Sequence, residues 1–327
     1  MVYRRDDLRL LQVLGPDARS FLGGLITQAT DLAVGQGAYS ALLTPQGKLL
    51  ADFPLMSVGV QELVLGLKKE IFDETLKKLR LFKLRSDVQL MEISDQILIS
   101  KFDASQPDSS EFSACESEAF ELNVPDSEAP DSEASNSEAP DTSGVSDSSK
   151  SESCDSSDFS SSDSDDSGTS NCKISEPDES PLAFADGRWA GLSHGLAAST
   201  VQGGTPDAFH RARAQRGIPE GAYDLIPGKS TLLDEGLACA IDWQKGCYMG
   251  QEVTARMRYR ALIKRILVPY QGQASVGQSL EIAGKKIGEV RSTYGNHGFA
   301  YVRKEAADQV IDGLHLGGPI GLGQFNL

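Results

Sequence analysis

Lys245-Gly246-Cys247-Tyr248-Met249-Gly250-Gln251-Glu252 concentrates more chemistry than any other stretch of this 327-residue chain. Two glycines flank a cysteine, and glycine lets a backbone turn sharply or approach a ligand closely. A helix is predicted from Glu252 to Arg260, directly after the loop. A thiol just ahead of a helix N-terminus and beside a lysine feels positive potential from both, which favours the thiolate, the form that attacks electrophiles and binds metals. Cys247 and Lys245 are therefore the candidate reactive pair; a small cysteine buried in a turn is the other reading. Arg256, Arg260 and Lys264 recur at i, i+4 and i+8 and line one helical face if the helix runs that far, either to hold an anion or as solvated charge. Tyr248 either stacks on a ligand or packs, while Trp243 and Tyr259 read as packing residues. Cys239, in Leu237-Ala238-Cys239-Ala240-Ile241, reads as core. His194, His210, His297 and His315 lack the spacing of a metal motif, and no Ser-His-Asp arrangement, phosphate loop or dinucleotide fingerprint can be read.

The elements that must position these residues fall on both sides of one anomalous segment. Before it, a helix is predicted over Pro16 to Gln28 from Ala18, Phe21, Leu22 and Leu25 at i, i+3, i+4 and i+7. Tyr39 to Leu43 and Leu49 to Met56 read as strands joined at Thr44-Pro45-Gln46-Gly47, a type I turn by its Pro and Gly placement. Glu62 to Leu67 suggests another strand, Lys69 to Leu79 a helix, and Val88 to Ile93 with Gln96 to Lys101 a strand pair. After it, Thr205 is a good N-cap, Pro206 a good first helical residue and Gly217 a good stop, so Thr205 to Arg216 is a predicted helix. Alternating runs at Arg265 to Tyr270, Lys286 to Ser292 and Gly298 to Arg303 point to a small all-β unit. The expected class is α+β followed by a β module.

The anomalous segment, Asp103 to Ser180, holds 22 acids, two lysines and 25 serines, so it alone carries −20 of a chain whose formal charge is −16. The rest of the chain is mildly basic, which excludes any argument about partners from the bulk pI of 4.7. The segment repeats Pro-Asp-Ser-Glu-Ala, has too few apolar residues to offset its ordering entropy, and is expected to be disordered. It reads either as a tolerated insertion or as a regulated acidic arm. Three of the five cysteines lie in it, so no disulfide framework or zinc ribbon is legible in the remainder. No basic leader is recognisable and no run reaches the ~20 apolar residues of a membrane helix, so a cytoplasmic, reducing compartment without membrane attachment is expected.

Lys245 to Glu252 resembles the Lys-Gly-Cys-Tyr/Phe-x-Gly-Gln-Glu signature of the YgfZ/GcvT folate-binding proteins. Gly15-Pro16-Asp17-Ala18 through Phe21-Leu22 to Gln28 is similar to that family's first helix, and Gly47-Lys48-Leu49-Leu50-Ala51-Asp52-Phe53 to its hairpin. Lys83-Leu84-Arg85-Ser86-Asp87-Val88, Asp186-Gly187-Arg188, Arg216-Gly217-Ile218-Pro219-Glu220-Gly221 and Val253-Thr254-Ala255-Arg256-Met257 resemble further blocks. The resemblance covers nearly everything outside the acidic segment. It implies a GcvT-like fold of ferredoxin-like halves around a folate pocket, in two parts at 1–102 and 181–263. A disordered insert at 103–180 would interrupt it, and a C-terminal β-barrel at 264–327 would close it.

The resemblance further implies tetrahydrofolate, or a one-carbon derivative of it, as ligand and a role in assembling or repairing iron–sulfur clusters in client enzymes. Asp52 is the counterpart of an aspartate that acts in the related aminomethyltransferases, although this chain has Ala51-Asp52 where they carry a paired aspartate. A pterin edge needs a carboxylate or amide and a glutamyl tail needs cations, so Glu252 or Gln251 would serve the ring, Tyr248 would stack on it and Arg256 would meet the tail. Cys247 would be a transient cluster ligand. Clusters are held by several thiolates, so an assembly partner, a client enzyme or a second subunit must supply the others. Such a chain is an assembly factor more than an enzyme. A folate-dependent aminomethyl or methyl transferase, and a non-catalytic RNA-binding or scaffold protein using the basic helix, are the alternatives.

Overall fold

The computed structural model describes residues 1–103, 184–186, 188–189, 191–234, 236–260, 263–307 and 309–317. The predicted disorder of the acidic segment therefore lies outside the described residues from position 104 onward. The first part contains β1 (Val2–Arg4), β2 (Leu8–Leu14), α1 (Ala18–Gly23), β3 (Gly37–Leu43), β4 (Leu49–Gly59), β5 (Glu62–Lys68), α2 (Lys69–Lys83), β6 (Gln89–Ile93) and β7 (Gln96–Phe102). Then come β8 (Phe184–Ala185), β9 (Leu192–Ala198), α3 (Pro206–Gln215), α4 (Gly221–Asp224) and α5 (Gln251–Tyr259). The last stretch holds β10 (Arg265–Gln271), β11 (Ser279–Ile282), β12 (Lys285–Tyr294), β13 (His297–Arg303), β14 (Val310–Ile311) and β15 (Leu314–Leu316).

Three antiparallel sheets organise the molecule. A five-stranded sheet has the order β3-β4-β5-β2-β6 and a four-stranded one the order β1-β7-β9-β8. The chain leaves the second sheet at Phe102 and re-enters it at β8, so the acidic segment interrupts a sheet and not a helix. The third sheet runs β11-β12-β13-β10-β15-β14, and its edge strands β11 and β14 come back into contact, giving a nearly closed barrel.

Alternation along the central strands explains their apolar runs. Leu11, Val13, Leu55 and Leu65 pack beneath Phe21 and Leu22 of α1 and Phe72 and Leu79 of α2. Their neighbours Leu10, Met56 and Val64 point the other way, against Leu98 and Phe184 of the second sheet. Both faces of this sheet are thus covered, and successive residues can be apolar because each face has its own core. Phe209 and Ala212 of α3 cover the second sheet at Phe102 and Leu192. Tyr39, Leu43 and Tyr248 meet Leu267 and Phe299, which joins the body to the barrel.

The elements differ from expectation in three places that matter later. α1 ends at Gly23 instead of reaching Gln28, because the chain bends so that the Thr27 N–H reaches the Ala41 carbonyl at 2.9 Å. α2 runs to Lys83, one turn past Leu79, through residues whose exposure removes the apolar periodicity by which a helix is recognised. α5 stops at Tyr259, so Lys264 lies off the helix and the three-residue basic stripe is not assembled. The Thr205 cap is as expected: its side chain accepts from the Ala208 N–H and Pro206 opens the helix.

Candidate functional site

The signature loop is stitched to the turn after α1 at many points. The Lys245 Nζ donates to the carbonyls of Gly23 at 2.8 Å, Ile26 at 2.7 Å and Gln28 at 3.0 Å. Met249 N–H reaches the Gly24 carbonyl at 3.1 Å and Asp242 N–H the Thr27 carbonyl at 3.0 Å. Gln28 donates to the Cys239 carbonyl at 2.9 Å, and the Thr27 hydroxyl to that of Ala240. Gly250 holds φ +85° at the start of α5, and a Cβ there would lie 2.6 Å from the Thr44 carbonyl oxygen, so the β3–β4 turn locks against the signature only because that residue is glycine. The hairpin and the signature are one physical unit.

On this platform Cys247 is exposed, on the wall of a cleft of about 480 Å³ shared with Thr30, Asp31, Asp242 and Lys245. Lys245 is engaged by three carbonyls, so its placement suits positioning the loop more than activating the thiol. Burial pushes its pKa down to about 8, with Asp242 and Asp31 acting the other way. Tyr248 is buried between body and barrel, its hydroxyl without a hydrogen-bond partner among the described residues, and burial followed by the charge of Asp242 raises its pKa to about 12. Gln251 opens α5, while Glu252 and Arg256 pair with each other at 2.7 Å on its solvent face. Such an exposed pair contributes little to stability. Arg258 lies over the Trp243 ring, 4.1 Å from its centroid.

Asp52 belongs elsewhere, in a buried polar centre. Its Oδ2 accepts from the Tyr39 hydroxyl and from the Gly221 N–H, and a Cβ on Gly221 would sit 2.0 Å from Oδ1. Burial raises the Asp52 pKa and the charge of Glu220 adds to it, against the hydrogen bonds from Tyr39 and Gly221. Beside it Arg5 grips Glu220 through two contacts, at 2.9 and 3.2 Å, and also binds Asp7. Arg188 stacks 3.6 Å from the Tyr39 centroid and pairs with Asp186. Arg213 binds Asp224 at 2.6 Å, and Asp224 accepts from Ser292 and Tyr294 of β12. Burial alone would raise the Glu220 pKa, but Arg5, Arg188 and Arg213 outweigh it and bring it down to about 2. Asp7 and Asp186 are likewise held below the ordinary carboxylate range, where burial is overcome by Arg5 and Arg188 respectively.

Two corrections to the sequence reading follow. A Ser-His-Asp arrangement does exist: His194 lies 2.8 Å from Ser100 through Nδ1 and 2.5 Å from Asp186 through Nε2. All three are buried and Asp186 is already held by Arg188, so the chain is part of the polar centre and has no access for a substrate. Its members come from β7, β9 and the loop before β9, too far apart in sequence for any spacing rule. Arg5, Asp7, His210, Arg213 and Asp224 also escape sequence reasoning. The available signal was in α3, where His210 and Arg213 share a face with Phe209 and Ala212, because charge on an apolar face implies a buried partner.

The expected tetrahydrofolate contacts are not gathered: Asp52 is enclosed, Tyr248 packs in a core, and Glu252 and Arg256 face solvent. The larger cleft, about 590 Å³ between the first two sheets, is lined by Met91, Phe184 and Leu196 with Glu62, Glu92 and Asp95. Three carboxylates and no cation on that wall do not fit an anionic glutamyl tail. Among the described residues no group of three His, Cys, Asp or Glu side chains could hold a metal ion, and no helix is long and apolar enough to cross a membrane.

Known proteins resemble this chain in parts and in overall fold. A family model described as the CAF17, C-terminal beta-barrel domain matches residues 264–320. The mouse protein named iron-sulfur cluster assembly factor IBA57, mitochondrial, is 33% identical over 108 residues, 30% of this chain and 30% of its own length. Its human counterpart is 34% identical over 107 residues, with the same coverage. The homologue from Aspergillus oryzae is 25% identical over 298 residues, 85% of this chain and 58% of its own length. These alignments thus span from under a third to somewhat over half of the relatives. The crystal structure of glycine cleavage system aminomethyltransferase T from Bartonella henselae superposes with a TM-score of 0.57 at 14% identity, covering 98% of this chain and 85% of that one. The α+β architecture with a nearly closed C-terminal barrel is therefore the GcvT-like fold.

Two outcomes are expected. Lys245→Met strips three carbonyls of their charged donor and should lower unfolding free energy by about 1–3 kcal/mol in urea titrations; an unchanged value would mean that the staple carries no stability. Because Glu220, Asp7 and Asp186 have folded pKa values below their unfolded ones, they contribute stability above the ordinary carboxylate range that is lost as pH falls. The urea midpoint should drop between about pH 5 and about pH 2, and Glu220→Gln should flatten that drop while lowering stability at neutral pH.

Proposed function

We propose that this chain, which has the GcvT-like fold and resembles iron–sulfur cluster assembly factors over part of its length, assists the assembly or repair of iron–sulfur clusters in client enzymes. The cluster is cargo, and Cys247 lends it one thiolate during handover. The observation that carries the reading is an exposed thiol on a loop fixed at many points to the turn after α1. A mobile loop would have to be ordered anew at each encounter, at an entropic cost that this loop has already met in folding. The remaining cluster ligands come from a partner, either an assembly protein or the client itself, since one thiol cannot hold a cluster.

Tetrahydrofolate stays in the proposal through the family resemblance alone, since Asp52 is enclosed and its Oδ2 already accepts from Tyr39 and Gly221. It is given no part in a chemical step. The aminomethyltransferase alternative is supported by fold likeness only, and the RNA alternative by no assembled basic stripe on α5, since Arg256 is paired and Lys264 is off that helix. As to compartment, the named relatives are mitochondrial; for this chain we propose a reducing one, the cytoplasm.

Cys247→Ser should leave urea stability unchanged while abolishing rescue of four-iron enzyme activity in a strain lacking this protein. Calorimetry with tetrahydrofolate should give the same affinity for wild type and Cys247→Ser. Full rescue by the variant would overturn the thiolate role, and the absence of binding heat would remove folate from the account.

A further inference from the structure

The end of α2 and the two residues after it read Lys77-Lys78-Leu79-Arg80-Leu81-Phe82-Lys83-Leu84-Arg85, five cations without an acid. Phe72, Thr75 and Leu79 are the buried side of this helix, which leaves Lys77, Arg80 and Leu81 facing outward. Leu81 is 66% exposed, Phe82 40% and Leu84 88%. One exposed leucine is ordinary, but three large apolar side chains within four residues form a patch of the type that marks an interaction site. Lys78 is neutralised by Glu74 at 2.6 Å, whereas Lys77, Arg80, Lys83 and Arg85 form no salt bridge with a described residue. The acids of this helix, Glu70, Asp73 and Glu74, lie toward its other end.

Leu84 adds an independent observation. It holds φ +43°, in the left-handed region that side chains other than glycine, asparagine and aspartate seldom occupy. The most exposed leucine of the patch thus also has an unusual backbone conformation, in a turn closed by the Ser86 N–H on the Lys83 carbonyl at 2.8 Å. A basic last turn does suit the helix dipole, but that accounts for Arg80 and Lys83 and not for Leu81, Phe82 or Leu84.

We propose that the C-terminal end of α2 is a docking surface for a partner protein whose own surface surrounds an apolar centre with carboxylates. Charge complementarity selects that partner: Arg80, Lys83 and Arg85, which form no salt bridge with a described residue, flank three exposed apolar side chains in the sequence, and the matching face carries carboxylates beside an apolar centre. A nucleic-acid backbone would satisfy the cations but leave the leucines and Phe82 in water. An anionic bilayer would take the apolar groups, yet one helix tip with three of them is a marginal anchor, because interfacial helices bury a whole face and α2 has committed its own to the core. The proposal is independent of Cys247, which lies on a different element.

The test uses the full chain, the pair Leu81→Ser with Leu84→Ser, and the pair Arg80→Glu with Arg85→Glu. The probe is a fluorescent synthetic amphipathic helix with leucine on one face and glutamate flanking it, followed by anisotropy. Wild type should bind it, and each pair should weaken binding by about tenfold or more. The charge pair's loss should shrink as salt rises from about 50 to about 200 mM, while the leucine pair's loss persists. Melting temperatures should stay at the wild-type value for the leucine pair and fall by a few degrees for the charge pair, since Arg80→Glu opposes the helix dipole. Equal binding by wild type and both pairs would overturn the proposal. So would patch-dependent binding to phosphatidylserine-containing vesicles or to poly(U) in place of the peptide. Because the readout involves no cluster, its failure is distinguishable from failure of the Cys247 proposal.

Discussion

A single buried carboxylate, Glu220, is where the parts of this molecule are held to one another. Arg5 reaches it from the turn between β1 and β2, Arg188 from the loop before β9, and Arg213 from α3. Taking such charges out of water costs roughly several kcal/mol per ion, and only near-complete pairing offsets it. Every partner must therefore be in place at once. The same segment continues through Gly221, whose N–H is pinned to Asp52, to Asp224, which accepts from Ser292 and Tyr294 of the barrel. Two sheets, α3 and the barrel are thus registered by one polar centre that tolerates no slippage.

The signature loop stands on that frame by a different physics. Its fixings are backbone carbonyls, a glycine with no room for a Cβ, and an apolar seam at Tyr248. The division is functional as well as structural. Charges that need partners are inside, already satisfied, and closed to ligands, whereas the one thiol of the signature faces outward with its lysine neighbour engaged elsewhere.

Much of this was legible in the sequence and some was not, for identifiable reasons. The strands β3, β4, β5 and the barrel were visible because their alternation or apolar continuity reflects which faces are covered. The α3 cap was visible because Thr205 and Pro206 act locally. The signature loop was recognisable as a unit, but the role of Lys245 was not, since its three carbonyl partners lie more than 200 residues away. Asp52 was singled out without its enclosure, which depends on Tyr39 and Gly221 arriving from two other elements. The Ser100, His194 and Asp186 contact was invisible for the same reason. The last turn of α2 carries no apolar periodicity because it buries little, so the sequence pattern stops at Leu79.

The central claim, that Cys247 lends a ligand to a cluster in transit, is tested most directly by following cluster arrival on an apo four-iron client. The client is incubated anaerobically with ferrous and ferric iron in equal amounts, sulfide and either wild-type chain or Cys247→Ser, and visible circular dichroism reports the cluster. The account predicts that wild type accelerates arrival over the client alone and that Cys247→Ser does not. Equal acceleration by both would contradict it.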